Sequence, residues 1–338
     1  MNQLMNKVQK LWDEHKIVSM AVLFILLLTV PSVFPKNYIM GIICRILLYI
    51  LLAGGLNVIN GYSSQFCIGY AGFFCIGAYA EAILSLKAGM NFWILLPISG
   101  IITAIFGLLI ALPTLRLSGK YLSIVTLGFS EIIRLTVLNW NGLTGGPMGI
   151  KGIAVPSLFG LEFKSAIQYY YIFLFLVILF VFATSRVIKS RIGRAWMSIR
   201  EDELAAKSLG VEASKYKAMN FMYGAFWAGI AGAAYAPYTR YIDPTFFTLD
   251  EGFNILAMVI VGGMGTMVGP IAGSIVINIV TELLRPISEY RMVVYAILII
   301  GMMWLRPQGL FGATQSILSG GKIMKKSDRG KKKGREAA

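Results

Sequence analysis

The chain has 338 residues, of which 57% are hydrophobic and only 14% charged, with a formal net charge of +15. Soluble domains carry about 25% charged residues, and a soluble globule cannot hide this much apolar surface behind so few of them. The mean hydropathy of +0.71 also excludes disorder, which leaves an all-α polytopic membrane protein.

Residues 1–16 read as a polar cytoplasmic segment and hold the only histidine, His15. With one histidine, neither a histidine metal site nor a histidine base inside the membrane is expected. A membrane-spanning helix needs about 20 mostly apolar residues. Ten stretches qualify as candidates: 17–34, 37–59, 66–86, 91–112, 120–138, 168–184, 217–237, 250–265, 269–285 and 290–306. The first is followed by Pro31 and Pro35 without a small-residue cleavage site, so it reads as a retained anchor. Cys44, Cys67 and Cys75 lie in apolar stretches without a CxxC pair. They read as small buried hydrophobes, with no disulfide or metal site implied.

Charge placement sets the orientation. With the N-terminus inside, the inner side receives the lysines before residue 17, Arg116 and Lys120, the basic residues of 185–217, and those from Arg306 to the end. The outer side receives only Lys36, Lys87, Lys151, Lys164, Arg240, Arg285 and Arg291. This asymmetry follows the positive-inside rule and predicts both termini in the cytoplasm. The permease-like body covers 17–312, and 313–338 is a basic cytoplasmic tail. The tail suits anionic lipid. It has no interleaved aromatics or nucleic-acid motif, so no nucleic-acid partner is expected.

Two segments are glycine-rich at membrane depth. The first runs through Gly54, Gly55, Asn57, Gly61, Gly69, Gly72 and Gly77; the second is VGGMGTMVGPIAGS, 261–274, with Gly262, Gly263 and Gly265. Two readings stand for each. One is close helix packing. The other is a broken or re-entrant helix lining a pathway, since irregular backbone at this depth needs protein or water around it. The second segment lacks the Lys-Ser/Thr ending of a phosphate loop. Arg45, Glu81, Glu131, Arg134 and Glu282 are the ionisable residues within spans. Each should face protein or water or lie near an interface, and Glu131 and Arg134 have the i,i+3 spacing of a pair.

The longest cytoplasmic connection, 185–216, contains SIREDELAAKSLGVEAS, 198–213. Ser198 and Glu201 have capping-box spacing, acids crowd the first turn, and Gly210 sits where a helix stops. A helix of about 11 residues is predicted, with Ala205, Ala206 and Leu209 on one face. Docking to another protein and resting on lipid headgroups are both open readings of that face.

At this point several stretches together carry a resemblance. They are NGYSSQFCIGYAGFFCIGAYA (60–80), LRLSGKYLSIVTLGFSEIIRL (115–135), LTGGPMGI (143–150), GRAWMSIREDELAAKSLGV (193–211), VIVGGMGTMVGPIAGS (259–274) and RPQGLFG (306–312). In this order the chain resembles permease subunits of branched-chain amino acid ABC importers, of the LivM type, over about 37–312. The resemblance implies a second permease subunit of the LivH type, two cytoplasmic ABC ATPases that use the ATP, and an extracytoplasmic binding protein for Leu, Ile or Val. It implies no cofactor bound by this chain, no catalytic residue and no metal. It also implies ATPase coupling through an EAA-x-x-x-G helix, with Ala205, Ala206 and Gly210 in register. Leu204 stands in the glutamate's place and the acid is shifted to Glu203. Leu209 completes the coupling set.

Candidate pathway residues are Asn57, Asn60, Gln65, Gly69, Thr126, Ser130, Gly262, Gly263 and Gly265, with Ser63 and Ser64 as further polar groups. The alternatives are a related permease for urea, short amides or another small solute, and an ion-coupled carrier acting alone. A membrane-embedded enzyme finds no nucleophile or carboxylate cluster to support it.

Overall fold

The computed structural model describes residues 28–31, 37–114, 120–158, 161–285 and 309–311, with isolated positions between 293 and 304. Eight of the ten expected spans coincide with described helices. The expected spans 17–34 and 290–306 fall largely outside the described residues, and the 1–16 segment and 313–338 tail fall wholly outside them.

Helix α1 (Asn37–Asn57) passes into a π-helical turn, Val58–Tyr62. After an irregular stretch come α2 (Tyr70–Ala88), α3 (Phe92–Thr114) and α4 (Lys120–Asn139). Helix α5 (Ala166–Lys189) starts on a capping box from Ser165 and Gln168. Two short helices, α6 (Arg191–Glu201) and α7 (Glu203–Ser208), lead into the 27-residue α8 (Ala213–Thr239). Helices α9 (Leu249–Gly262) and α10 (Val268–Leu283) form a hairpin. Two strand pairs lie between: β1 (Ile150–Lys151) with β4 (Tyr241–Ile242), and β2 (Ser157–Leu158) with β3 (Leu161–Glu162), both antiparallel.

Five described helices are long and apolar enough to cross a membrane: Asn37–Tyr62, Tyr70–Ala88, Phe92–Leu112, Tyr121–Asn139 and Ala166–Lys189. Their outward faces are apolar, with Ile101, Ile105 and Leu109 on α3, Ile124 and Ile132 on α4, and Phe175 and Phe182 on α5 all exposed. Such surface is at home in hydrocarbon and a liability in water. This is an all-α, multi-pass membrane protein.

Helix α8 packs against α3, α2 and α1 and is central because its side chains are small. Gly224, Ala225, Ala228, Gly229, Ala231, Gly232 and Ala233 are all buried. A Cβ on Gly77 would collide with the carbonyl of Gly229, and one on Gly232 with that of Phe74. Small residues let backbones touch and maximise dispersion contact where lipid supplies no hydrophobic drive. The same smallness keeps the helix modest in hydropathy although it is buried. Helices α9 and α10 have 14 and 16 residues, so each spans about 21–24 Å, short of the roughly 30 Å hydrocarbon core.

Candidate functional site

The two glycine-rich segments meet. Asn57, the last residue of α1, donates from Nδ2 to the Thr266 carbonyl and accepts the Gly265 N–H at its Oδ1, both at 2.8 Å. The side-chain amide thus closes the 263–267 turn onto the π turn. Gly265 has φ +79°, and a Cβ there would strike the Arg200 guanidinium and press on the Gly61 carbonyl at 3.0 Å. The turn is pinned from within by Thr266 Oγ1, which donates to the Gly263 carbonyl at 3.2 Å and accepts the Gly269 N–H at 3.0 Å. Residues 309–311 strap it from outside: the N–H groups of Leu310 and Phe311 donate to the carbonyls of Val261 and Gly262, each at 2.9 Å. Those carbonyls end α9 and would otherwise lack partners.

A third element reaches the same place. Arg200, near the end of α6, donates from Nη1 to the Gly61 carbonyl at 2.7 Å. Trp196, one turn earlier, is buried with Val58 and Tyr62, and its Nε1 donates to the Tyr216 carbonyl at 2.8 Å. The 190–212 elbow therefore packs directly on both helix breaks. Sequence reading missed Arg200 and Trp196, because a loop arginine has no periodic signature and its acceptor is a backbone carbonyl.

The elbow corrects the predicted helix. Ser198 is not its cap: it lies inside α6 and its Oγ donates to the Ala195 carbonyl at 2.9 Å. The chain breaks at Asp202, whose Oδ1 accepts the N–H groups of Leu204 and Ala205 at 2.8 and 3.0 Å. An aspartate with extended backbone caps better than a serine already in helical conformation. The expected single helix of about 11 residues is thus split into α6 and the six-residue α7. Gly210 does act as the stop, at φ +83°. The Gly210 N–H donates to Lys207 and the Val211 N–H to Ala206, the two bonds of a Schellman motif.

The expected shared face of Ala205, Ala206 and Leu209 is also corrected. Ala206 is buried against Ile199 and Ala213, while Leu204 and Leu209 are 75% and 84% exposed. Leu209 lies past the last helical residue, so it leaves the helical face. Glu203 pairs with Lys207 at 2.9 Å and with Lys217. Partial burial pushes its carboxyl up, but the hydrogen bonds from Lys217 and Lys207 outweigh this and hold it below the usual glutamate range.

The other candidate residues fall into two groups. Asn60 clamps the loop it opens: its Nδ2 donates to the Cys67 carbonyl and its Oδ1 accepts the Cys67 N–H. Gln65 Nε2 donates to Ser63 Oγ at 2.7 Å, Ser63 Oγ to Asn220 Oδ1 at 2.9 Å, and Asn220 Nδ2 to the Val58 carbonyl at 2.9 Å. This buried network holds the π turn against α8, and Asn220 is a third residue that sequence reading missed. Gly69, Thr126 and Ser130 lie apart from it, where α2 meets α4. Thr126 Oγ1 accepts the Ile68 N–H at 3.2 Å, a Cβ on Gly69 would collide with the Thr126 carbonyl, and Ser130 is buried. Gly262 packs on Gly269 and Gly263 turns the chain at φ +112°. Glu131 and Arg134 pair as their spacing predicts. The three cysteines are free and buried. No cluster of metal-ligating side chains occurs among the described residues.

A family profile described as "Branched-chain amino acid transport system / permease component" matches residues 38–303. This chain belongs to that family. Two relatives named high-affinity branched-chain amino acid transport system permease protein LivM, from Escherichia coli K12 and Salmonella typhimurium LT2, are 40% and 39% identical over 292 residues, covering 80% of this chain and 69% of each relative. The E. coli K12 permease protein LivH is 24% identical over 292 residues, covering 78% of this chain and 91% of LivH. No solved structure matches the chain. Within this permease family member, the meeting of the elbow with two interrupted helices is the feature that a transport mechanism can use.

Proposed function

We propose that this chain is a permease subunit of an ATP-driven importer for Leu, Ile and Val in the cell membrane. In this reading it pairs with a second permease subunit, forms part of the translocation pathway, and draws its power from two separate ABC ATPases. An extracytoplasmic protein delivers the amino acid, and ATP is bound by the partners alone. Both termini and the elbow lie in the cytoplasm, and the chain has ten membrane-embedded helical segments, of which α9 and α10 are short.

The observation that carries the mechanism is the Arg200–Gly61 hydrogen bond beside Gly265. The exposed tip of the elbow, Leu204 to Gly210, is what an ATPase grips. The buried root of the same elbow bonds to the π turn and abuts the 263–267 turn. A displacement of the tip is therefore delivered to both interrupted helices without an intermediary. A π turn stores one extra residue in the ladder and can shift register at low cost. Glu203 braces the tip through Lys207 and Lys217, which explains why the acid need not occupy the position of Leu204. In this role Asn57, Gly263 and Gly265 form the moving seam. Asn60, Gln65, Gly262 and the α2–α4 contact at Gly69, Thr126 and Ser130 hold the walls beside it.

The test is reconstitution of the complex with its binding protein and measurement of ATP-dependent leucine uptake. Uptake that needs all partners supports the reading. Uptake by this chain alone, or an elbow accessible only from outside, overturns it.

A further inference from the structure

At the end of the bundle opposite the elbow, the first turns of α1 and the last turns of α10 enclose a cavity of about 410 Å³, within the size range of small-molecule sites. Its charged wall centres on Glu282. Tyr38 donates its hydroxyl to Glu282, Arg285 Nη1 lies 3.4 Å from Glu282 Oε1, and Arg45 Nη1 lies 3.8 Å from Glu282 Oε2. Arg285 also donates to Tyr38 Oη at 3.0 Å. Among the described residues two guanidinium groups thus share one carboxylate, leaving one positive charge over.

Arg45 is the informative member. It lies eight residues into α1, about 12 Å along the helix, yet its side chain is 53% exposed. A guanidinium at that depth is expected to face water or protein, not lipid, and Arg45 lines the cavity. Between Tyr38 and Arg45 the α1 wall carries no polar side chain and leaves room. Gly41 and Ile42 line it, and even a Cβ on Gly41 would come no closer than 3.8 Å to Tyr238 Oη. Below Arg285, which lies just past the end of α10, Thr281, Asn278 and Ser274 continue one face of that helix at helical spacing towards the 263–267 turn. Asn278 and Ser274 are buried, and Ser274 Oγ has no hydrogen-bond partner.

We propose that this cavity is a receiving site for a zwitterionic amino acid. Arg45 and Arg285 take the α-carboxylate, Glu282 and the Tyr38 hydroxyl take the α-ammonium, and the aliphatic side chain lies along Gly41 and Ile42. This deepens the importer reading and rests on it: the site accepts the amino acid on release and passes it down the polar face of α10.

The test uses the complete complex in membrane vesicles with Gly41→Cys as reporter and Thr281→Cys as a second, the native cysteines being buried. A membrane-impermeant maleimide should label both from outside. Leucine at about ten times its Kd should slow labelling about tenfold by mass action. Isocaproate, which lacks the ammonium, and isoamylamine, which lacks the carboxylate, should protect far less. Adding Arg45→Gln should abolish protection by leucine. Absence of labelling, equal protection by all three compounds, or protection only by the binding protein without amino acid would each overturn the site, the last by making the cavity a protein-docking surface. Leucine uptake by the unmodified complex is read separately. Normal uptake with an unprotected reporter overturns the receiving site alone, and failed uptake overturns the importer reading.

Discussion

Gly265→Ala is the sharpest perturbation of the elbow contact. At φ +79° an L-residue costs about 1–2 kcal/mol in the left-handed region. The new methyl also takes the space of the Arg200 guanidinium, so the 2.7 Å bond to the Gly61 carbonyl is lost, and a hydrogen bond to a charged group is worth about 1.5–3 kcal/mol. The two effects together come to about 2.5–5 kcal/mol. Arg200→Met removes the bond alone and leaves the turn unstrained. If that bond joins the elbow to the breaks, losing about 2 kcal/mol shifts the balance between conformers about thirtyfold. The assay is leucine uptake per ATP hydrolysed in proteoliposomes. Arg200→Met should assemble and hydrolyse ATP while uptake per ATP falls at least tenfold, and Gly265→Ala should also lower thermal stability. An Arg200→Met complex with unchanged stoichiometry would refute the coupling argument.

Gly210→Ala has the same sign of φ but open space around it, so it should cost only about 1–2 kcal/mol, and Gly210→Asn less, as read by thermal unfolding in detergent. Leu204→Asp with Leu209→Asp should leave folding within about 0.5 kcal/mol, because both side chains are exposed, yet abolish co-purification with the ATPases. Gly77→Val should fail to assemble or lose several degrees of Tm, since its Cβ would overlap the Gly229 carbonyl. Glu203 is held below its usual range by Lys217 and Lys207 despite partial burial. A lowered folded value means its stabilisation is present above the unfolded glutamate range and fades as pH falls through the folded value. Hydrogen-exchange protection factors across 202–210, taken relative to the intrinsic rate at each pH, should therefore fall in acid for the native chain, and Glu203→Gln should show the lowered protection already at neutral pH with little further change.

Much of the fold was legible in the residues. Apolar runs of the right length marked eight helices, because a span exposed to lipid must satisfy its own backbone bonds and does so as a helix. The i,i+3 pairing of Glu131 with Arg134 and the stop at Gly210 followed from local geometry. The elbow's start was misjudged because Ser198 and Asp202 are both competent caps, and only packing of Ile199 and Ala206 against Ala213 chose between them. The glycines were read as packing or as breaks, and the two sets turn out to use both. Gly69 and Gly77 seat neighbouring helices, whereas Gly263 and Gly265 turn the chain.

By itself the sequence determined the solvent, the helices and the family, since these depend on composition, period and ordered motifs that act over a few residues. Tertiary structure alone decided that Asn57 clasps a turn more than 200 positions away, that Arg200 bonds to Gly61, and that Arg45 and Glu282 share a cavity. Each of these joins a side chain to a partner distant in the chain, often a backbone carbonyl, and a carbonyl is present at every residue. No pattern in the letters can therefore single out which one is met.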